Sequence, residues 1–110
     1  MLTWEEFEKV ELRAGTVIDV QDFAKARKPA YKLWIDFGGE VGIKRSSAQV
    51  TTYYQKEELL GRQVLAVTNF PPRQIADFMS EVLVTGFILP DGSVVLTQPE
   101  RPVPNGTRLG

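Results

Sequence analysis

Neither cysteine nor histidine occurs in this chain. The first absence excludes disulfides and thiolate metal sites, and it agrees with a reducing compartment. The second removes the usual general base near neutral pH and the commonest metal ligand. Catalysis would fall to carboxylates, lysines or hydroxyls with strongly shifted pKa values. Glycine-rich phosphate loops and metal-ligating clusters are missing too, so no cofactor is expected. Glu57 and Glu58 are adjacent on a predicted helix, point in different directions, and do not form a general acid/base pair unaided. Composition therefore weighs against an enzyme. No apolar run approaches the roughly 18 residues needed to cross a bilayer. The start, Met1-Leu2-Thr3-Trp4-Glu5-Glu6, is acidic where a signal peptide is basic. The expectations are a cytoplasmic protein and no membrane insertion.

What is present is ordinary for a globular chain: 110 residues, 43% hydrophobic and 25% charged. That length suits one domain over residues 1–110, burying roughly 60–70% of the surface of its unfolded chain. The net charge of −1 argues against indiscriminate nucleic-acid binding. Its distribution is uneven. Glu5, Glu6, Glu8 and Glu11 face only Lys9 near the start, whereas Lys25, Arg27, Lys28 and Lys32 cluster without an acid. Two solvated faces of opposite sign, or a functional patch, would both give this pattern.

Thr3 and Glu6 form a capping box, with Leu2 and Phe7 at the staple positions, predicting a short helix with Trp4 and Phe7 on one face. That face must pack on the body of the protein or on a partner. From Val10 the period becomes two. Val10, Leu12, Ala14, Thr16, Ile18 and Val20 are expected on one face of a strand, with Gly15 marking a bulge or bend. A second strand follows the basic loop, with Leu33 and Ile35 inward and Lys32 and Trp34 outward. Gly38-Gly39 turns it into a third strand, Val41 to Arg45. Ser46 and Ser47 are plausible caps for a helix from about Ala48 to Leu60, although Val50, Thr51 and Thr52 weaken it. Gln63 to Thr68 reads as a buried strand, Val82 to Leu89 and Val94 to Thr97 as a final pair. The tail should be extended. Three strands, a helix and further strands match an all-β OB-fold, a five-stranded Greek-key barrel with short helices and extra terminal segments.

Four blocks carry a resemblance. Lys25-Ala26-Arg27-Lys28-Pro29-Ala30-Tyr31-Lys32-Leu33, Gly42-Ile43-Lys44-Arg45-Ser46-Ser47-Ala48-Gln49, Asn69-Phe70-Pro71-Pro72-Arg73-Gln74-Ile75-Ala76 and Ser80-Glu81-Val82-Leu83-Val84 are similar to successive motifs of the CsaA branch of the tRNA-binding-domain family. Val103-Pro104-Asn105-Gly106 resembles that branch's ending. The resemblance implies an OB-fold homodimer joined through its terminal segments. It also implies an export chaperone that binds precursor polypeptides and the secretion ATPase SecA; more distant relatives bind tRNA by shape. Gln74 departs from the pattern, since many relatives carry a second basic residue there.

On this basis the candidate polypeptide- or tRNA-binding residues are Arg27, Lys32, Trp34, Lys44, Gln49, Asn69, Phe70, Arg73, Phe78, Ser80, Glu81 and Leu83. Trp34 beside Lys32 would form a stacking platform, unless the N-terminal helix covers it. Arg73 can pair bidentately with phosphate or carboxylate, though an exposed arginine in a structural turn looks the same in sequence. Gln49 opens the predicted helix, whose free N–H groups would attract an anion. Glu81 disfavours direct phosphate contact and would order Arg73 or Lys44. Trp34, Phe70, Ile75 and Phe78 are expected to line one shared groove.

Overall fold

A computed structural model describes all residues 1–110. Two single-turn helices and nine strands follow one another: α1 (Trp4–Glu8), β1 (Leu12–Asp22), β2 (Tyr31–Asp36), β3 (Ile43–Ala48), α2 (Lys56–Leu59), β4 (Gln63–Val67), β5 (Arg73–Ile75), β6 (Phe78–Ser80), β7 (Leu83–Val84), β8 (Gly86–Ile88) and β9 (Val94–Leu96). An antiparallel sheet of five strands, ordered β3-β2-β1-β4-β7, curls until its two outer strands meet in a nearly closed barrel. The strand order and the helical turn between β3 and β4 are those of an OB-fold. Hairpins β5–β6 and β8–β9 form two separate small sheets packed on this body through Phe78 and Leu96.

Alternation fills the barrel. Leu33 and Ile35 of β2, Val64 and Ala66 of β4, and Val17 of β1 are wholly buried with Phe37 and Leu59. Each Val, Leu, Ile or Phe side chain among these contributes about 1.5–3 kcal/mol of burial free energy.

The phase of β1 differs from expectation. The register with β2 shifts between Val17 and Asp19, leaving Ile18 as the extra, exposed residue of a bulge. Before the bulge Gly15 and Val17 face the core; after it Val20 does. Gly15 is thus no bulge. It is a close approach, because a Cβ there would lie 2.7 Å from both Ile35 and Phe37.

The expected helix over Ala48–Leu60 shrinks to α2. Ser46 and Ser47 belong to β3, and the β-branched stretch at 50–52 resists helix. Gln55 and Glu58, rather than the serines, form the capping box. The long strand expected from Val82 to Leu89 divides at Thr85 into β7 and β8. Short hairpin β5–β6 turns through Ala76, whose φ of 51° is left-handed.

The capping box of α1 is present, yet no residue of that helix is buried and Trp4 is 82% exposed. The C-terminal tail is extended, as expected, and lies along β1. Ala14 donates to the Thr107 carbonyl, Gly106 to the Ala14 carbonyl and Leu109 to the Leu12 carbonyl, at 2.8–3.0 Å.

Candidate functional site

Two neighbouring features carry the candidate residues. The first is an open cleft of about 620 Å³ between the segments 70–74 and 80–83. Pro71 and Pro72 have fixed φ angles and no N–H groups, which holds this rim extended. Phe70 and Leu83 stand 55% and 51% exposed, and Val82 is buried beneath them. Most polar groups of the lining are already engaged. Gln74 donates through Nε2 to the Ala76 carbonyl at 2.8 Å, and Ser80 Oγ accepts from the Ser47 N–H at 3.0 Å. Glu81 Oε1 accepts from the Arg45 N–H at 3.0 Å. Arg73 forms no ion pair and is exposed on the rim.

The second feature is a cationic-aromatic platform on the outer face of β2 and β3. Phe78 is only 5% exposed and packs edge-on against Phe23 and Trp34, with ring centroids 5.5 and 5.7 Å away. Lys32 Nζ lies 4.9 Å from the Phe23 centroid and 5.3 Å from that of Phe78; the Arg45 guanidinium lies 5.5 Å from Phe78. Cations over ring faces are held there electrostatically, by about 0.5–1 kcal/mol where exposed. Above this platform runs the loop of Lys25, Arg27 and Lys28. Lys25 Nζ sits 3.0 Å from Asp77 Oδ2 and holds that carboxyl below its usual range. Arg27 and Lys28 are exposed without an ionic partner.

These positions alter several expectations. Trp34 is half-buried on the platform and is absent from the cleft lining, so the single expected groove is two surfaces joined by hairpin β5–β6. Phe78 is a buried support rather than a contact surface. Lys44 pairs with the inward Ile35 in the β2–β3 ladder, and residues directly opposite share a face, so Lys44 is on the wrong side for the platform. Arg45, which sequence reasoning passed over, pairs with Trp34 and occupies that place. The available signal was the alternation of small Ser46 and Ala48 against Arg45 and Ser47; the apolar outward Ile43 masks it. Gln49 is exposed just after β3 and opens no helix.

Three of the candidates hold the fold together. Asn69 Oδ1 accepts from the Glu11 N–H at 3.0 Å, and its Nδ2 donates to the Lys9 carbonyl at 2.6 Å. Ser80 and Glu81 satisfy the outer edge of β3, where no strand pairs. Glu81 ties Arg45 rather than Arg73 or Lys44: besides the bond above, its N–H donates to the Arg45 carbonyl at 2.8 Å, and its carboxylate lies 3.4 Å from Arg45 Nε. Buried Ser46 adds a bond from its hydroxyl to the Val82 carbonyl at 3.0 Å.

Residues 12–108 match the family described as "Putative tRNA binding domain". The chain belongs to the tRNA-binding-domain family. Among solved structures it is similar to the chaperone CsaA of Bacillus anthracis, at 50% identity and a TM-score of 0.94, covering 100% of this chain and 99% of that one. The CsaA chaperone protein of Picrophilus torridus is similar at 49% identity and a TM-score of 0.91, with both chains fully covered. A methionine–tRNA ligase of Pyrococcus furiosus is 35% identical over 109 residues, which is 98% of this chain but 14% of that enzyme. The chain thus spans about a seventh of the length of its curated relatives. No helix is long and apolar enough to cross a membrane.

Proposed function

We propose that this protein is a non-enzymatic, homodimeric chaperone of the CsaA type that binds unfolded precursor polypeptides and a SecA-type secretion ATPase in the cytoplasm. One observation carries the reading. The cleft between Phe70 and Leu83 offers exposed apolar walls, with Arg73 as a free polar anchor. A shallow apolar trough with few fixed polar groups suits many sequences, as a chaperone requires. The likeness to two CsaA chaperones at about half identity supports it.

The bare apolar side of α1 supports the dimer. Leu2, Trp4 and Phe7 line a hollow of their own, and Leu109 of the tail is exposed nearby with Val10. A second copy seated there would cover these groups and bring two clefts onto one particle, which strengthens binding through avidity. The test measures aggregation of an unfolded client at moderate salt, with the protein present or absent. Suppression that weakens in Phe70→Ala supports the reading; no effect on any client tried defeats it.

A second reading is shape-specific tRNA binding on the same side of the barrel, favoured by the stacking of Lys32 and Arg45 on aromatic rings beside Arg27, Lys28 and Arg73. It requires tRNA retardation with a steep salt dependence, lost in Arg73→Ala and Lys32→Ala. Retardation insensitive to salt removes it.

A further inference from the structure

We propose that Glu81 is a specificity-determining residue that turns this surface toward polypeptide and away from polyanions by keeping Arg45 in a neutral pair. The proposal rests on the client-binding reading above. Glu81 is the one acid among the side chains lining the cleft. Its place is fixed by main chain on both sides: its N–H donates to the Arg45 carbonyl at 2.8 Å, and its Oε1 accepts from the Arg45 N–H at 3.0 Å. Swinging the carboxylate away would leave the Arg45 N–H without its acceptor.

Arg45 stands at the border of the two surfaces. Its guanidinium lies over Phe78, as does the Lys32 ammonium, and Arg73 enters from the other end of hairpin β5–β6. Without Glu81 these three cations would form one strip, which is the electrostatic footprint of a backbone-tracking nucleic-acid site. With Glu81 in place, a phosphate approaching Arg45 meets a negative charge already bonded to that residue. An uncharged peptide main chain meets no such repulsion. The other nearby acids are different in kind. The bridge from Asp77 to Lys25 is solvent-exposed at the hairpin tip, where such pairs separate at little cost. Asp19, opposite Trp34 in the β1–β2 ladder, accepts from the Val20 N–H and the Gln21 amide rather than from a cation.

The experiment uses the full chain, bulk tRNA as the polyanion and an unfolded precursor as the client. Glu81→Gln retains an oxygen for the Arg45 N–H while removing the charge, and melting curves check that it folds. The expected result is tRNA affinity higher by about five- to tenfold at low salt. The salt slope should steepen by about one unit, and the ratio of tRNA to client affinity should rise. In Glu81→Gln combined with Arg45→Met the gain should vanish. Unchanged or weaker tRNA binding in Glu81→Gln overturns the proposal, and so does a gain that survives loss of Arg45. Failure of the unaltered protein to hold the client strikes the chaperone reading instead, while the tRNA titrations still decide the role of Glu81.

Discussion

Strand β3 has two edges, and they are finished in different ways. Toward β2 it runs in register over six residue pairs, from Tyr31↔Ala48 to Asp36↔Ile43, held by main-chain bonds. Its other edge has no such ladder, and the Ser80 hydroxyl and the Glu81 main chain and carboxylate take up its free groups. A ladder tolerates almost any side chain of suitable parity, because its bonds belong to the backbone. A seam closed by side chains requires particular residues at particular places. Asn69 repeats the device where β1 begins, and Asn105 does so by accepting from the Thr16 hydroxyl at 2.8 Å. Candidates such as Asn69, Ser80 and Glu81 can therefore be there for closure, and on the proposed reading ligand contact falls to neighbours such as Phe70 and Arg73.

The contrast can be broken at three points. The ladder side depends on its buried apolar residues, so Leu33→Ala should cost the most, about 3 kcal/mol in urea unfolding. On the seam, Glu81→Ala leaves the Arg45 N–H without its acceptor and should cost about 2 kcal/mol, with Ser80→Ala costing about 1. If Glu81→Ala costs no more than Glu5→Ala on exposed α1, side chains do not close the barrel. The smallest effect is one of pH. The Arg13 side chain, donating to Glu11 at 2.6 Å, holds the Glu11 carboxyl below its ordinary value of 4.5. A lowered folded pKa gives stability that is present above the ordinary value and lost as pH falls through the folded one. The melting temperature should therefore drop as pH falls below about 4.5, and Glu11→Gln should flatten that drop. A variant with the same acid limb as the parent removes Glu11 from the account.

Much of the ladder region was legible from period alone. Leu33 against Lys32 and Trp34 set the phase of β2, and the apolar run 64–67 marked β4. The errors have physical causes. A bulge shifts phase without leaving a mark in composition, so Ile18 looked like core and Val17 did not. Hairpin β5–β6 has three-residue strands, too short for any period to emerge. Helix-friendly Glu57, Glu58 and Leu59 drew the helix back over Ala48, which instead ends β3, and over the turn at 51–53. In the site, the cleft residues Phe70, Arg73 and Leu83 were legible by resemblance, whereas Arg45 required the register. Long-range partners such as Ser47 and Ser80 cannot be read from spacing, because only the closed sheet brings them together.

The tail against β1 has a further consequence. Arg108 reaches the Glu8 carbonyl at 2.6 Å while Leu109 bonds to Leu12, so the first and last turns of the chain leave the barrel side by side. A short flexible connector could join them into a ring, and a new opening cut at an exposed tip such as Asp91-Gly92 would give the same barrel with its sequence rotated. Geometry of this kind also lets such a body ride within a much longer polypeptide, both leads departing from one spot, without threading either of them through its interior.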